Sequence, residues 1–312
     1  MGLNVNSVKL LFEAKASGVS FARTLTLGKQ SFACPGVFLA EMALKYGHAR
    51  PKIAAADWGM SFSTDDFLRM LGATETVAID HSAYEGAELI HDMNLPIPHE
   101  HCSRFDVVFD GGSLEHIFNF PAAIKNCMDM VRLAGHLVLI TPINNYCGHG
   151  FYQFSPELFF RTLCRENGFL IERAIAWEEC GNPDFFLVKD PESMKQRVEM
   201  ISDLPILMFV QAKKLEHVKH LAVPQQSDYV PLWAAQPTAP VNPLPVAEGR
   251  WQGFKKGLCQ IWFTRFPHRT NAWFGIRQRM NLKKLHLRKS PGFVRLGKLS
   301  SSDPTDRLAP MP

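Results

Sequence analysis

The 312-residue chain contains no run approaching the roughly 18 consecutive apolar residues that a membrane-spanning helix requires. Its first residues, MGLNVNSVKLLFEAKASG, lack the charged segment, long apolar run and small-residue cleavage site of a secretory leader. Asn6 stands where an N-myristoylation signal places Ser or Thr. A cytoplasmic protein is therefore expected. The 7 cysteines form no Cys-x-x-Cys pair, and several lie inside apolar runs, which favours free thiols over a disulfide framework. Acidic residues are missing altogether between Gly249 and Ser302, a stretch with 13 Lys and Arg, so all 30 acids lie in the rest of the chain. Lys29 beside Gly28 lacks the spacing of a phosphate-binding loop.

What is present is an alternation of β-rich and helical patterns over residues 23–212. Arg23–Leu27 reads as a strand ending at Gly28, Val37–Tyr46 as a helix, and Ser63–Leu71 as a helix capped by Ser63 or Thr64. Glu75–Ile79 is a strand ending at Asp80, and Ala87–Ile90 a short third strand before Asp92 and the turn Leu95–Pro98. Phe105–Phe109 is an apolar strand followed by the loop Asp110-Gly111-Gly112. Helical spacing from Ile117 to Val131 breaks at Gly135, and His136–Ile140 is a buried strand stopped by Pro142. Ser155-Pro156-Glu157 starts a helix running to about Glu166 and stopped by Asn167-Gly168. Phe169–Trp177 and Pro205–Ala212 read as the last strands, with a helix through Ser193–Met200 between them. Strand, helix, strand over 105–140 forces a parallel pair, and the whole predicts a doubly wound, mostly parallel α/β domain. Ligands of such sheets bind at the carboxyl ends of the strands, where Asp110–Glu115 and Thr141–Gly150 fall.

The segment Ser113-Leu114-Glu115-His116-Ile117, the turn Met130–Gly135 and Thr141-Pro142 resemble the class I S-adenosylmethionine-dependent methyltransferases, in the branch with Leu-Glu-His after the fourth strand. The match covers about a third of the chain well and about two thirds loosely. The resemblance implies a Rossmann-like fold, S-adenosylmethionine as cofactor, and methyl transfer to a small-molecule or glycan-type acceptor. The glycine motif is degenerate: Leu27-Gly28-Lys29-Gln30 offers one glycine where the family has Gly-x-Gly. The alternative is a methyltransferase-like binding module without catalytic activity.

The same resemblance implies the site. Gly28 would let the backbone approach the methionine part of the cofactor, Asp80 would accept both ribose hydroxyls, and Asp92 would receive the adenine amino group. Asp110, Gly111 and Glu115 would floor the pocket beside it. His116 would stand at its mouth. From the residues themselves, the near-neutral imidazole of His149 in the loop Asn144–Gln153 suits a general base with Tyr152 nearby, loop structure alone being the alternative. Turn formation or capping equally explains Asp80, Asp92 and His116 from the residues alone. The missing catalytic triad decides nothing, because methyl transfer depends mainly on alignment. His99-Glu100-His101-Cys102 offers adjacent ligands on one short loop, which rarely close a tetrahedral site, so no metal is expected.

Three regions follow: a Rossmann-like domain over 1–222, a linker over 223–249 and a basic aromatic tail over 250–312. The linker has prolines at 224, 231, 237, 240, 243 and 245 and no helical or strand period. Trp251, Phe254, Trp262, Phe263, Trp273 and Phe274 are interleaved with the tail's cations. That mixture predicts contact of residues 250–299 with an anionic membrane surface. Packing against the acidic body and binding of nucleic acid are the alternatives, nucleic acid being the less expected.

Overall fold

The computed structural model describes residues 2–54, 57, 61–234 and 285–299. In chain order, the main sheet comprises β1 (Arg23–Leu27), β2 (Glu75–Asp80), β3 (Leu89–Ile90), β4 (Phe105–Asp110), β5 (Val131–Asn144), β6 (Phe169–Glu178), β7 (Phe185–Val188), β8 (Ile206–Lys214) and β9 (Phe293–Gly297). The principal helices are α1 (Val5–Ala16), α2 (Gly36–Lys45), α3 (Thr64–Met70), α4 (Phe120–Met130) and α5 (Pro156–Thr162). Across the sheet the strands run β9-β7-β6-β8-β5-β4-β1-β2-β3. The links from β3 through β1 to β5 are all parallel, and β8 lies antiparallel to both β5 and β6. This is the expected doubly wound, mostly parallel α/β sheet.

Local chemistry accounts for the helix boundaries. Ser63 caps α3 in a reciprocal box with Asp66, and Ser155 accepts from Glu157 N ahead of Pro156 at the start of α5. Gly168, at φ 76°, ends the turn after α5 in the left-handed conformation that glycine tolerates. The sheet separates two apolar cores. Ile206, Met208, Val210 and Ala212 of β8 face the core under α4 and α5, while Leu207 and Phe209 face the one under α1, α2 and α3. That alternation is the period of two expected of a strand covered on both faces.

Several sequence expectations are corrected. Helix α4 ends at Met130, so Val131 starts β5; the strand turns at Ala134, at φ 62°, where its register to β4 shifts next to the break expected at Gly135, and then runs on through Pro142. A Cβ at Gly135 would lie 2.8 Å from Asp106 O, so glycine also serves close strand approach at this turn. Pro142 lies opposite Leu207 beside a register shift, beyond the last pairing of β4 with β5 at Asp110–Leu139. On such a one-sided stretch a missing N–H is tolerated. The helix expected over Ser193–Met200 is one turn, Pro191–Met194, ended by Lys195 at φ 53°. Helix α1, capped by Asn4, precedes the first expected strand.

The boundary drawn at 222 is also revised. Strand β9 pairs antiparallel with β7, Phe293 opposite Val188, and Arg295 reaches Asp184 at 3.0 Å. Residues 285–299 are therefore an edge of the α/β unit, as the packing alternative for the tail anticipated. The rest of the expected tail, with most of the linker, lies outside the described residues. Among the described residues no helix is long and apolar enough to cross a membrane, and Cys34, Cys102, Cys127, Cys147, Cys164 and Cys180 are free.

Candidate functional site

The strand order reverses at β1. From β1 the chain winds outward through β2 and β3, then returns to β4 on the other side. A crevice opens at the carboxyl ends where winding reverses, because the two connections leave in opposite directions. A cavity of about 410 Å³ occupies that position, lined by Gly28, Asp80, Asp92, Gly112, Ser113 and His116 among others.

Each wall follows from local structure. Gly28 has φ +69°, and its N–H donates to Ile79 O at 2.7 Å, which turns the chain sharply off β1. A Cβ on Gly28 would lie 3.4 Å from Ser113 Oγ and 3.6 Å from Asp80 Oδ2, so the glycine opens the space between β2 and β4. Asp80 ends β2, where its Oδ1 accepts His81 N at 2.6 Å. Asp92 Oδ1 accepts from Asn94 N and Nδ2 at 2.9 and 2.7 Å. These bonds hold the Asp92 carboxyl below its usual range. Ser113 ties the turns after β1 and β4 together, its Oγ donating to Leu27 O at 2.9 Å and its N–H to Asp110 Oδ1 at 2.8 Å.

The remaining expected residues divide into two groups. Asp110 and Glu115 are fully buried behind the cavity wall. Burial pushes the Asp110 carboxyl up to about 6, and burial together with Asp110 pushes Glu115 up to about 8. The His116 ring, lowered in pKa by burial and by His149, lies 4.9 Å from the His149 ring. Gly111 does not line the cavity. It packs under Gln30, whose Oε1 would lie 2.5 Å from a Cβ there. Tyr152 is also not brought to the cavity, because its hydroxyl donates to Phe118 O at 2.6 Å and its ring stacks on Phe154. The His99–His101 segment forms a short turn with His101 Nε2 3.6 Å from Glu100 Oε1.

Sequence reasoning missed Gln30, Met93 and Asn126. Gln30 lines the cavity with a buried, unbonded Oε1. Asn126, 2% exposed, accepts Ile97 N at 2.8 Å and donates to Met93 O and Leu95 O at 3.2 and 2.7 Å. It thereby pins the loop that forms the Asp92 side of the cavity. A polar residue inside the apolar spacing of α4 was the available signal.

No family model matches the chain, and no curated protein matches it. Among solved structures, an S-adenosylmethionine-dependent methyltransferase from Mesorhizobium loti is 13% identical, with a TM-score of 0.37, 67% of this chain covered and 98% of that one. The N-methyltransferase NodS from Bradyrhizobium japonicum, in complex with S-adenosyl-L-homocysteine, is 12% identical, with a TM-score of 0.36 and coverage of 67% and 85%. The 1,6-didemethyltoxoflavin-N1-methyltransferase of Burkholderia thailandensis is 14% identical, with a TM-score of 0.36 and coverage of 68% and 78%. The chain's own strand order and register define its fold as a doubly wound α/β sheet in which β8, inserted between β5 and β6, and β7, between β6 and β9, run antiparallel to their neighbours.

Proposed function

We propose that this protein binds S-adenosylmethionine in the crevice at the carboxyl ends of β1 and β2 and transfers its methyl group to a small-molecule or glycan-type acceptor. The observation that carries the reading is the convergence of Gly28, Asp80 and Asp92 on one cavity at the switch point of the sheet. The donor set fits the ligand. Asp80 offers carboxylate oxygens for two vicinal hydroxyls, Gly28 leaves backbone bare for close approach, and the buried Gln30 Oε1 lacks a donor. Asp92 keeps Oδ2 for an exocyclic amine, since Oδ1 is engaged by Asn94.

The bound cofactor would supply an already activated methyl group, so the protein's part is alignment and exclusion of water. His116 and Ile117 line the side of the cavity nearest the loop that carries His149. The acceptor enters there. The exposed rings of Phe118 and Phe151, 5.8 Å apart and edge to face, offer apolar surfaces to a planar molecule or a sugar face. His149, on the loop after β5, stands beside His116 at that entrance.

Calorimetric titration of the full chain with S-adenosylmethionine and S-adenosylhomocysteine tests the reading. Saturable heat with one site per chain is expected. No binding at millimolar ligand overturns it and leaves the methyltransferase-like binding module.

A further inference from the structure

Backbone bonds lock the loop after β4 to the loop after β5. Glu115 O accepts from Phe151 N at 2.7 Å and Tyr152 N at 3.2 Å. Gly150, beside them, has φ +77°, and a Cβ there would meet Glu115 O at 2.7 Å, so only glycine permits this approach. The crossing sets one ligand atom from each of Glu115, His116 and His149 within 4.8 Å of the others.

These side chains do not satisfy one another. Glu115 is fully buried, yet both its carboxylate oxygens lack a hydrogen bond, and so does the buried His149 Nε2. The gap between Glu115 Oε1 and His149 Nε2 is 3.5 Å, too long for a charge-assisted hydrogen bond. It does match the edge, roughly 3.4 Å, of a tetrahedron of ligands held about 2.1 Å from a central ion. Asp110 Oδ2, on the neighbouring carboxylate, is buried without a partner as well. The region thus concentrates three carboxylate oxygens, both of Glu115 and Oδ2 of Asp110, without a donor, an arrangement that a cation relieves.

We propose that Glu115, His116 and His149 form a binding site for a divalent transition-metal ion of the zinc or iron(II) class, at the rim of the cavity. Two imidazoles and one carboxylate suit these ions, whereas magnesium and calcium take oxygen ligands. Three protein ligands leave coordination positions open. Because His116 also lines the cavity, the open side takes an oxygen of the methyl acceptor, a consequence that rests on the methyltransferase reading.

The full chain, stripped with a chelator, is titrated calorimetrically with Zn²⁺ and, separately, with Co²⁺ while its visible absorption is recorded. One ion per chain and cobalt bands characteristic of nitrogen and oxygen ligation are expected. His149→Ala, on a half-exposed loop, should weaken Zn²⁺ on the order of 100-fold or more. His99→Ala should change nothing. Melting curves of the stripped variants separate ligand loss from misfolding. Absence of Zn²⁺ binding, or His149→Ala and Glu115→Gln chains that bind Zn²⁺ like the parent, overturns the site. S-adenosylhomocysteine is titrated into the same stripped chain. Heat from it without Zn²⁺ binding removes the metal and leaves methyl transfer standing, whereas Zn²⁺ binding without that heat does the reverse.

Discussion

Replacing Asp80 with alanine removes the carboxylate at the end of β2 while leaving the strand's ladder to β1 untouched. The register Leu27–Ile79 and the bond from Gly28 N to Ile79 O involve backbone only. Within the fold, Asp80 loses one local bond, from His81 N at 2.6 Å in an exposed turn. Such a bond contributes about 0.5–1.5 kcal/mol, so the melting temperature should fall by only a few degrees. Binding should suffer more. A carboxylate that accepts from two ribose hydroxyls provides two charge-assisted bonds, and their loss should cost about 2–3 kcal/mol, or roughly 30- to 150-fold in affinity. Calorimetry with S-adenosylhomocysteine measures the affinity, and differential scanning calorimetry checks the fold. An Asp80→Ala chain that binds as tightly as the parent would make Asp80 a turn residue and refute its assignment to the ribose.

Asn126→Ala should cost about 2–4 kcal/mol in urea unfolding, because it orphans the buried Ile97 N–H and Met93 carbonyl. Cofactor affinity should fall with it, and unchanged affinity would show that the Asp92 loop holds itself. For Asp106, burial alone would raise the pKa, but hydrogen bonds from Arg132 and Arg23 outweigh it and hold the carboxyl below its usual range. A depressed carboxylate contributes stability above the unfolded value and loses it as pH falls through the folded one. Asp106→Asn should therefore destabilise by about 1–3 kcal/mol at pH 7, with the difference shrinking below about pH 4; a pH-independent difference contradicts the ion-pair account. The basic segment 250–284 should carry the full chain onto anionic vesicles in low salt and release it in high salt. A chain that ignores such vesicles at low salt ends the membrane assignment.

Much of the fold is decided locally and was legible for that reason. Ser63 and Ser155 announce α3 and α5, Gly28 and Gly168 mark turns only glycine makes cheaply, and β-rich runs ending at Asp80 and Asp110 mark parallel strands. The carboxyl-end location of the site follows from that alternation. Pairing across the sheet is a different matter, because nothing local says which strand meets which edge. Strand β7 is short, β9 sits within a basic aromatic stretch, and their pairing is won by edge hydrogen bonds and by Asp184 meeting Arg295. The same holds at the site. Glu115 and His116 were legible from their motif and His149 from its loop. Their convergence depends on how the loops after β4 and β5 cross at Gly150. The sequence by itself determined the elements, the caps and the end of the sheet where ligands bind, since these depend on neighbours a few residues away. The tertiary structure alone decided which carboxylates are buried, which histidines face them and which tail residues complete the sheet, since those outcomes depend on contacts between segments far apart in the chain.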